Sequence, residues 1–453
     1  MSTSKRSLFT GWGRTNPSLA EEVEVTASFL AATLKEAGPR GALVRGLGRS
    51  YGDAAQNSGG LLIRLTGGVN DAVLDHEAAT VKVGAGVSIE DLLKLIVPRG
   101  YFVPVTAGTR FVTIGGAIAS DIHGKNHHVE GSFGNHVLRM TIMLADGSTV
   151  VASPVENPDL FWATIGGMGL TGIVIDATVQ LLRVETSRMS VDTARIPDLD
   201  ALFAAMADDD DYRYSVAWID VMAKGRHLGR SVLSRGDHAR LDQLDARASG
   251  TARRYGPRQL ASIPPLVPRP GVLNHATVAA FNEVWFRKAP VHKVGEIQGI
   301  AEFFHPLDML GAWNRLYGKA GMVQYQFVVP FGREDTMRTV IERLGASGSA
   351  SFLAVLKRFG AANPAPLSFP QPGWTLALDV PAASNGLGEL LHNLDDLVLA
   401  AGGRHYFAKD SHTTSAAIRQ GYPRLDEWQA VRNAVDPHGL WRSDLSRRLG
   451  LTD

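Results

Sequence analysis

The chain has 453 residues, more than one hydrophobic core usually serves, so two domains are expected. Apolar residues make up 45%, charged residues 20%, and the formal charge is +1 with no Lys/Arg block, which excludes the electrostatic footprint of a nucleic-acid binder. Cysteine is absent, and neither a run of about 18 apolar residues nor an apolar stretch within Met1 to Pro17 occurs, so disulfides, thiolate metal sites, a spanning helix and an export signal are not expected.

From Pro17 to Gly38 the spacing of Leu19, Val23, Ala27, Leu30 and Leu34 predicts a helix. Short strands are expected at Gly41 to Arg45, Leu61 to Leu65 and Thr80 to Val83. Ser88-Ile89-Glu90-Asp91 reads as a capping box opening a helix that runs to about Pro98. Val137 to Leu144 and Ser148 to Ala152 form a hairpin around the Asp146-Gly147 turn. Glycine-rich Phe161 to Gly172 leads into the alternating strand Ile173 to Leu182. From about Val184 to Gly403 helices and strands alternate at longer spacing, with Asp208 to Asp211 an acidic turn. Tyr255 to Pro290, which includes Leu266, Val267, Pro268, Arg269 and Pro270, is read as a mobile flap whose prolines preclude a regular helix. Trp285 and Phe286 beside Arg287 and Lys288 would form its apolar edge.

Pro104 to His128 concentrates the chemistry. Thr113 can N-cap the run Ile114 to Ala119, and Gly115 and Gly116 let backbone approach a ligand closely. Asp121, His123, Lys125 and His128 follow at once. Gly46 and Gly48 come after a strand, but no helical pattern follows them, so the dinucleotide-fold reading fails on spacing. Together with Gly166 to Gly172, three glycine-rich turns suggest a cofactor lying extended across several loops. Gln324 and Gln326 alternate on one strand face with Tyr325 on the other, and Lys357 and Phe359 repeat the pattern. His127 and His128 have no carboxylate at ligand spacing, so no metal is expected.

Arg45 to Asp53, Pro104 to Thr109 with Thr113 to Gly124, and Gly166 to Val174 resemble the FAD-binding domain of the vanillyl-alcohol oxidase type. Gln324 to Phe327, Phe352 to Gly360, Pro366 to Trp374 and Tyr406 to Thr414 extend a narrower similarity, to the decaprenylphosphoryl-β-D-ribose 2-oxidase family, over nearly the whole chain. The resemblance implies an α+β flavoprotein with a substrate domain, built on an antiparallel sheet, inserted into the FAD domain. The boundaries would be 1–186 for the FAD domain, 187–403 for the substrate domain and 404–453 for a C-terminal return. FAD contacts are implied at Arg45, Gly46, Leu47, Gly48, Arg49, Ser50, Tyr51, Thr109, Thr113, Gly115, Gly116, Ala119, Ile122, His123, Gly124, Gly172, Ile173, Tyr406 and Lys409. Arg49 stands where tethered relatives carry a histidine, so FAD should bind noncovalently. Lys409 and His123 are the implied catalytic residues; Lys409 serves as base or as a cation beside the flavin, and the sequence does not separate the two. Lys125, Gln324, Gln326, Lys357, Phe359, Thr375 and Ala377 would meet the substrate, with Lys125 suited to phosphate.

The chain departs from its relatives at Ala377 (commonly Cys), Thr375 (commonly Asn) and Phe304 (Tyr in some), which puts thiol-directed inhibition in doubt. The implied reaction oxidises the ribose 2-hydroxyl of decaprenylphosphoryl-β-D-ribose to a ketone, the first half of an epimerisation toward cell-wall arabinan. The partners implied are an NADH-dependent keto-sugar reductase, a quinone-like electron acceptor and peripheral membrane contact. The family is placed at the periplasmic side of the cell envelope; the absence of a visible signal leaves the cytoplasmic face open. The rival readings are an alditol or sugar-lactone oxidase using O2, and a catalytically silent flavoprotein or binding module.

Overall fold

The computed structural model describes residues 5–207, 209–265, 273–348 and 351–452. Two sheets form from the first 180 or so residues. In one, Lys5–Phe9 pairs antiparallel with Ser18–Val25, which runs parallel to Leu61–Leu65, itself parallel to Ala42–Val44. In the other, Val73–Asp75, Thr80–Gly84, Ile173–Gln180, Val137–Met143 and Thr149–Ala152 lie side by side, all antiparallel. The helix Ile89–Ile96, capped by Ser88 accepting from the Asp91 amide, and the short Ile114–Ala119 pack their apolar faces into the core this sheet shares.

The expected helix over Pro17 to Gly38 is corrected. Ser18–Val25 is a strand, and only Leu30–Leu34 is α-helical. Pairing on both edges buries Ala20, Val23 and Val25, and that long-range gain overrides a spacing that also fitted a helix.

An eight-stranded sheet lies between Arg188 and His405. Its order is His292–Gly299, Arg188–Ile196, Ser231–His238, Tyr214–Ile219, Ala354–Phe359, Gly373–Pro381, Met322–Pro330 and Arg404–His405, every neighbour antiparallel. Strand alternation gives it two chemistries. Tyr325, Phe327, Leu376 and Leu378 point to one face, where Leu199–Ala207, Glu334–Ala346 and Leu387–Ala400 cover them in an apolar core. Gln324, Gln326, Lys357, Thr375, Ala377 and Asp379 point to the other. The chain then returns to the first sheet: the Ala42 amide donates to the Leu440 carbonyl and the Arg442 amide to the Ala42 carbonyl (2.8 and 3.1 Å).

The Tyr255 to Pro290 reading is corrected in part. His275–Lys288 is a regular 14-residue helix, N-capped by Asn274 and free of proline, because the prolines cluster before and after it. Phe286 lies beneath the Arg230 guanidinium, 4.9 Å from its ring centre, instead of forming an outer edge; Trp285 is 46% exposed. Leu266, Val267, Pro268, Arg269 and Pro270 lie outside the described residues, as does Asp208 of the acidic turn. Among the described residues no helix is long and apolar enough to cross a membrane.

Candidate active site

Backbone pairing explains why the polar face of the large sheet becomes a site. Directly opposed residues in antiparallel strands share a face. Gln324 faces Asp379, Gln326 faces Ala377, and Lys357 faces Thr375. With Phe359, two positions after Lys357 and opposite Gly373, six of the seven residues expected to meet the substrate come together on one surface. The seventh, Lys125, arrives from the other part of the chain: the Ser215 amide donates to its carbonyl at 2.9 Å, and its ammonium donates to the Phe303 carbonyl.

His123 meets this surface edge-on. Its ring contacts Phe359, Phe369 and Tyr406 at centroid distances of 4.9, 5.5 and 5.1 Å. The Gln326 amide nitrogen donates to His123 Nε2 at 2.9 Å, which assigns the ring proton to Nδ1. Nδ1 is buried without a protein partner, so an unused donor remains there. Burial first, then the nearby Lys357, holds this histidine well below its usual range and keeps the imidazole neutral.

Lys409 is carried in by the returning chain. Its ammonium sits 3.9 Å from the centre of the Tyr51 ring. The two segments are locked together: the Tyr51 amide donates to the Ala408 carbonyl at 2.8 Å, and a Cβ on Gly52 would lie 1.9 Å from the Asp410 carbonyl oxygen. Arg448 grips both, bonding Asp53 through two nitrogens and Asp410 through one at 2.8 to 2.9 Å. Burial lowers the Lys409 pKa from the ordinary lysine range, and the Asp379 carboxylate opposes that shift. Burial in turn raises Asp379, whose Oδ1 accepts from the Gln324 amide. Lys125 is lowered to about 7 by burial and by Lys357, and Lys357 to about 8 by burial.

Asp379 is the residue that sequence reasoning passed over. It stood in plain view two and four positions after Ala377 and Thr375, in the same alternating phase, which is the signal that could have found it. Tyr317 was also missed. Its buried hydroxyl belongs to the same cluster, and burial together with Asp379 raises its pKa well above the usual phenol range.

The glycine-rich loops frame the other side. A Cβ on Gly46 would fall 2.5 Å from Thr113 Oγ1, so the loop beginning at Arg45 packs against the N-cap of Ile114–Ala119, where Thr113 accepts from the Gly116 amide. Gly48 adopts φ of 63°, and Gly115 backs onto the Ala85 carbonyl. Arg49 stacks on Trp12 at 4.0 Å, with its buried Nε unpartnered. Arg45 is committed to the carbonyls of Ala55 and Thr10, and Leu47 is exposed. Ser50 contributes its carbonyl to the Trp12 amide. Thr109 donates to Asp308 at 2.8 Å, and the Ala119 carbonyl accepts from the Met168 amide. Ile122 is buried, Gly124 has the Thr106 carbonyl 2.9 Å from where a Cβ would sit, and the Tyr406 hydroxyl donates to the Ser120 carbonyl. The Ile173 side chain is core and Gly172 abuts the Met143 carbonyl, so these two can reach a ligand only through backbone. His127 and His128 are occupied by Gly360 and Tyr212. Glycine-lined loops with two orphaned buried nitrogens, Arg49 Nε and His123 Nδ1, fit an extended polar cofactor such as FAD.

Residues 26–153 match the FAD binding domain family, and residues 381–449 match the D-arabinono-1,4-lactone oxidase family. The chain is 45% identical to the decaprenylphosphoryl-β-D-ribose oxidase of Mycolicibacterium smegmatis, over 99% of this chain and 98% of that one. It belongs to that oxidase family. Similarity to the alditol oxidase of a Streptomyces species is 28% over 38% of this chain and 41% of that one. For cytokinin dehydrogenase 2 of Arabidopsis thaliana it is 28% over 30% and 27%. This family member is an FAD-dependent oxidoreductase acting on a hydroxyl group, with the expected α+β, vanillyl-alcohol-oxidase-type fold. Arg49 at the tethering position and a sequence without cysteine leave the flavin noncovalently held.

Proposed function

We propose that this oxidase acts on decaprenylphosphoryl-β-D-ribose, removing two hydrogens at the 2-hydroxyl carbon to give the 2-keto sugar. The observation that carries this reading is the charge balance of the site. Lys125 and Lys357 converge on one half-buried region beside Lys409, where Asp379 is the carboxylate that opposes the lysine's shift. Holding two ammonium groups together where water is limited is costly unless an anion joins them, and a phosphate does so. A free alditol brings no charge, and the likeness to an alditol oxidase covers well under half of either chain.

Lys125 and Lys357 would hold the phosphate, and the Gln324 and Gln326 amides the sugar hydroxyls, with Phe359, Thr375 and Ala377 forming the floor. Lys409, its pKa lowered by burial, takes the hydroxyl proton as the C–O bond gains double-bond character. His123, kept neutral, keeps an unpartnered Nδ1–H that a bound ligand could accept. FAD, when bound, supplies the hydride acceptor; Arg49, Tyr51, Thr113, Gly115, Gly116 and Tyr406 are the residues best placed to hold it. The FAD part is assigned to 1–186 and 404–453 and the substrate part to 187–403. A separate NADH-dependent reductase would complete epimerisation toward cell-wall arabinan, a quinone-like acceptor would reoxidise the flavin, and the periplasmic face of the envelope is the proposed location, with peripheral contact to the membrane. Turnover of prenylphosphoryl ribose tests the assignment. The product should be two mass units lighter and lose its 2-hydroxyl; oxidation at another carbon, or turnover of alditols alone, would overturn it.

A further inference from the structure

The rings beside Lys409 do not stop at the reaction cluster. Tyr51, under the Lys409 ammonium, belongs to an apolar cluster with Trp313, Tyr317 and Met322. From Tyr317 the rings continue to Phe352, Phe281 and Trp285 in steps of 6.0, 5.8 and 5.9 Å. Exposure rises along the row, from 1% at Tyr317 to 42% at Phe281 and 46% at Trp285, and the neighbouring Val284 is 64% exposed.

The helix His275–Lys288 separates docking from display. Val278, Asn282 and Phe286, at intervals of four, form the row that fixes it: Val278 is buried, the Asn282 amide donates to Asp220 at 2.7 Å, and Phe286 packs under Arg230. Glu283 adds an ion pair to Arg230 at 2.7 Å. Phe281 and Trp285 form the adjacent row, stacked on each other at an interplanar angle of 15° and leading outward. Large rings left at the surface at the end of an unbroken aromatic path call for an apolar occupant.

We propose that Tyr317, Phe352, Phe281 and Trp285 form the track along which the substrate's prenyl tail leaves the site, with Trp285 at its outer end. This rests on the prenylphosphoryl-sugar reading above. A long apolar chain tied to a buried phosphate must cross the protein surface, and aromatic rings shield it from water on the way. Lys409 sits over Tyr51 at the inner end and the rings run outward from it, which is the polarity of a polar head followed by a hydrocarbon tail.

The test compares KM and kcat for prenylphosphoryl ribose bearing a ten-unit tail and a one-unit tail, in the same detergent, for the unsubstituted enzyme, Trp285→Ala, Trp285→Phe and Phe281→Ala. Trp285→Ala and Phe281→Ala should raise KM for the long tail about fivefold or more, leave its kcat in place and spare the short tail. Trp285→Phe should restore most of the loss. Equal changes for both tails would mean the rings merely seat the helix, and an unchanged long-tail KM would mean the tail leaves elsewhere; either overturns the track. Should the unsubstituted enzyme oxidise neither compound, the substrate reading itself falls and takes the track with it, an outcome visible before any variant is made.

Discussion

Three lysines and one aspartate govern the chemistry, and their environments make separate predictions. Lys409→Ala should keep the flavin's yellow spectrum, since the glycine loops remain, while turnover falls about 10²-fold or more, roughly 3 kcal/mol of barrier. A variant whose flavin is reduced by substrate at a near-normal rate would remove Lys409 from catalysis. Lys125 and Lys357 make the opposite use of charge. Burial lowers them to about 7 and about 8, so the free enzyme loses their protons as pH rises through those values. Affinity for a phosphorylated substrate should then decline, and kcat/KM should drop from about pH 7 to 9. Lys357→Arg keeps its charge throughout, so its alkaline decline should be shallower; an identical profile would dissociate Lys357 from the phosphate. Arg49 makes a simpler prediction. Acid precipitation should release the flavin into the supernatant, and colour left in the pellet would reveal a tether.

At the scale of elements, the site depends on two loops held at contact distance. Gly52 lies against the Asp410 carbonyl, so Gly52→Ala forces the Tyr51 loop away from the segment bearing Lys409. The strain should cost about 1–3 kcal/mol and lower flavin retention; a variant with normal melting temperature and full flavin would show that the loop can yield. How much of this was readable depended on the kind of interaction. The cap at Thr113, the Asp146-Gly147 hairpin and the shared phase of Gln324 and Gln326 are local patterns, and they were legible. Ser18–Val25 was not, because its strand identity comes from partners at Lys5–Phe9 and Leu61–Leu65 that spacing alone does not bring near. The helix at His275–Lys288 was obscured by neighbouring prolines that lie outside it.

For the whole molecule, the connections that create the site are long in sequence. Lys409 reaches Tyr51 across more than 350 positions, and His123 reaches Gln326 across 203. No local pattern encodes such contacts; the family resemblance supplied Lys409 and His123, while Asp379, whose partner Gln324 lies on another strand, emerged only once the sheet register was known. The resulting account is that one face of the inserted sheet holds an anionic sugar against a flavin bound by the glycine loops. Anaerobic mixing of the purified flavoprotein with substrate tests this most directly, because it needs neither the reoxidising acceptor nor the partner reductase. Prenylphosphoryl ribose should bleach the oxidised flavin band within turnover times, while free ribose and alditols at equal concentration should leave it intact. Bleaching by alditols, with none by prenylphosphoryl ribose, would contradict the account.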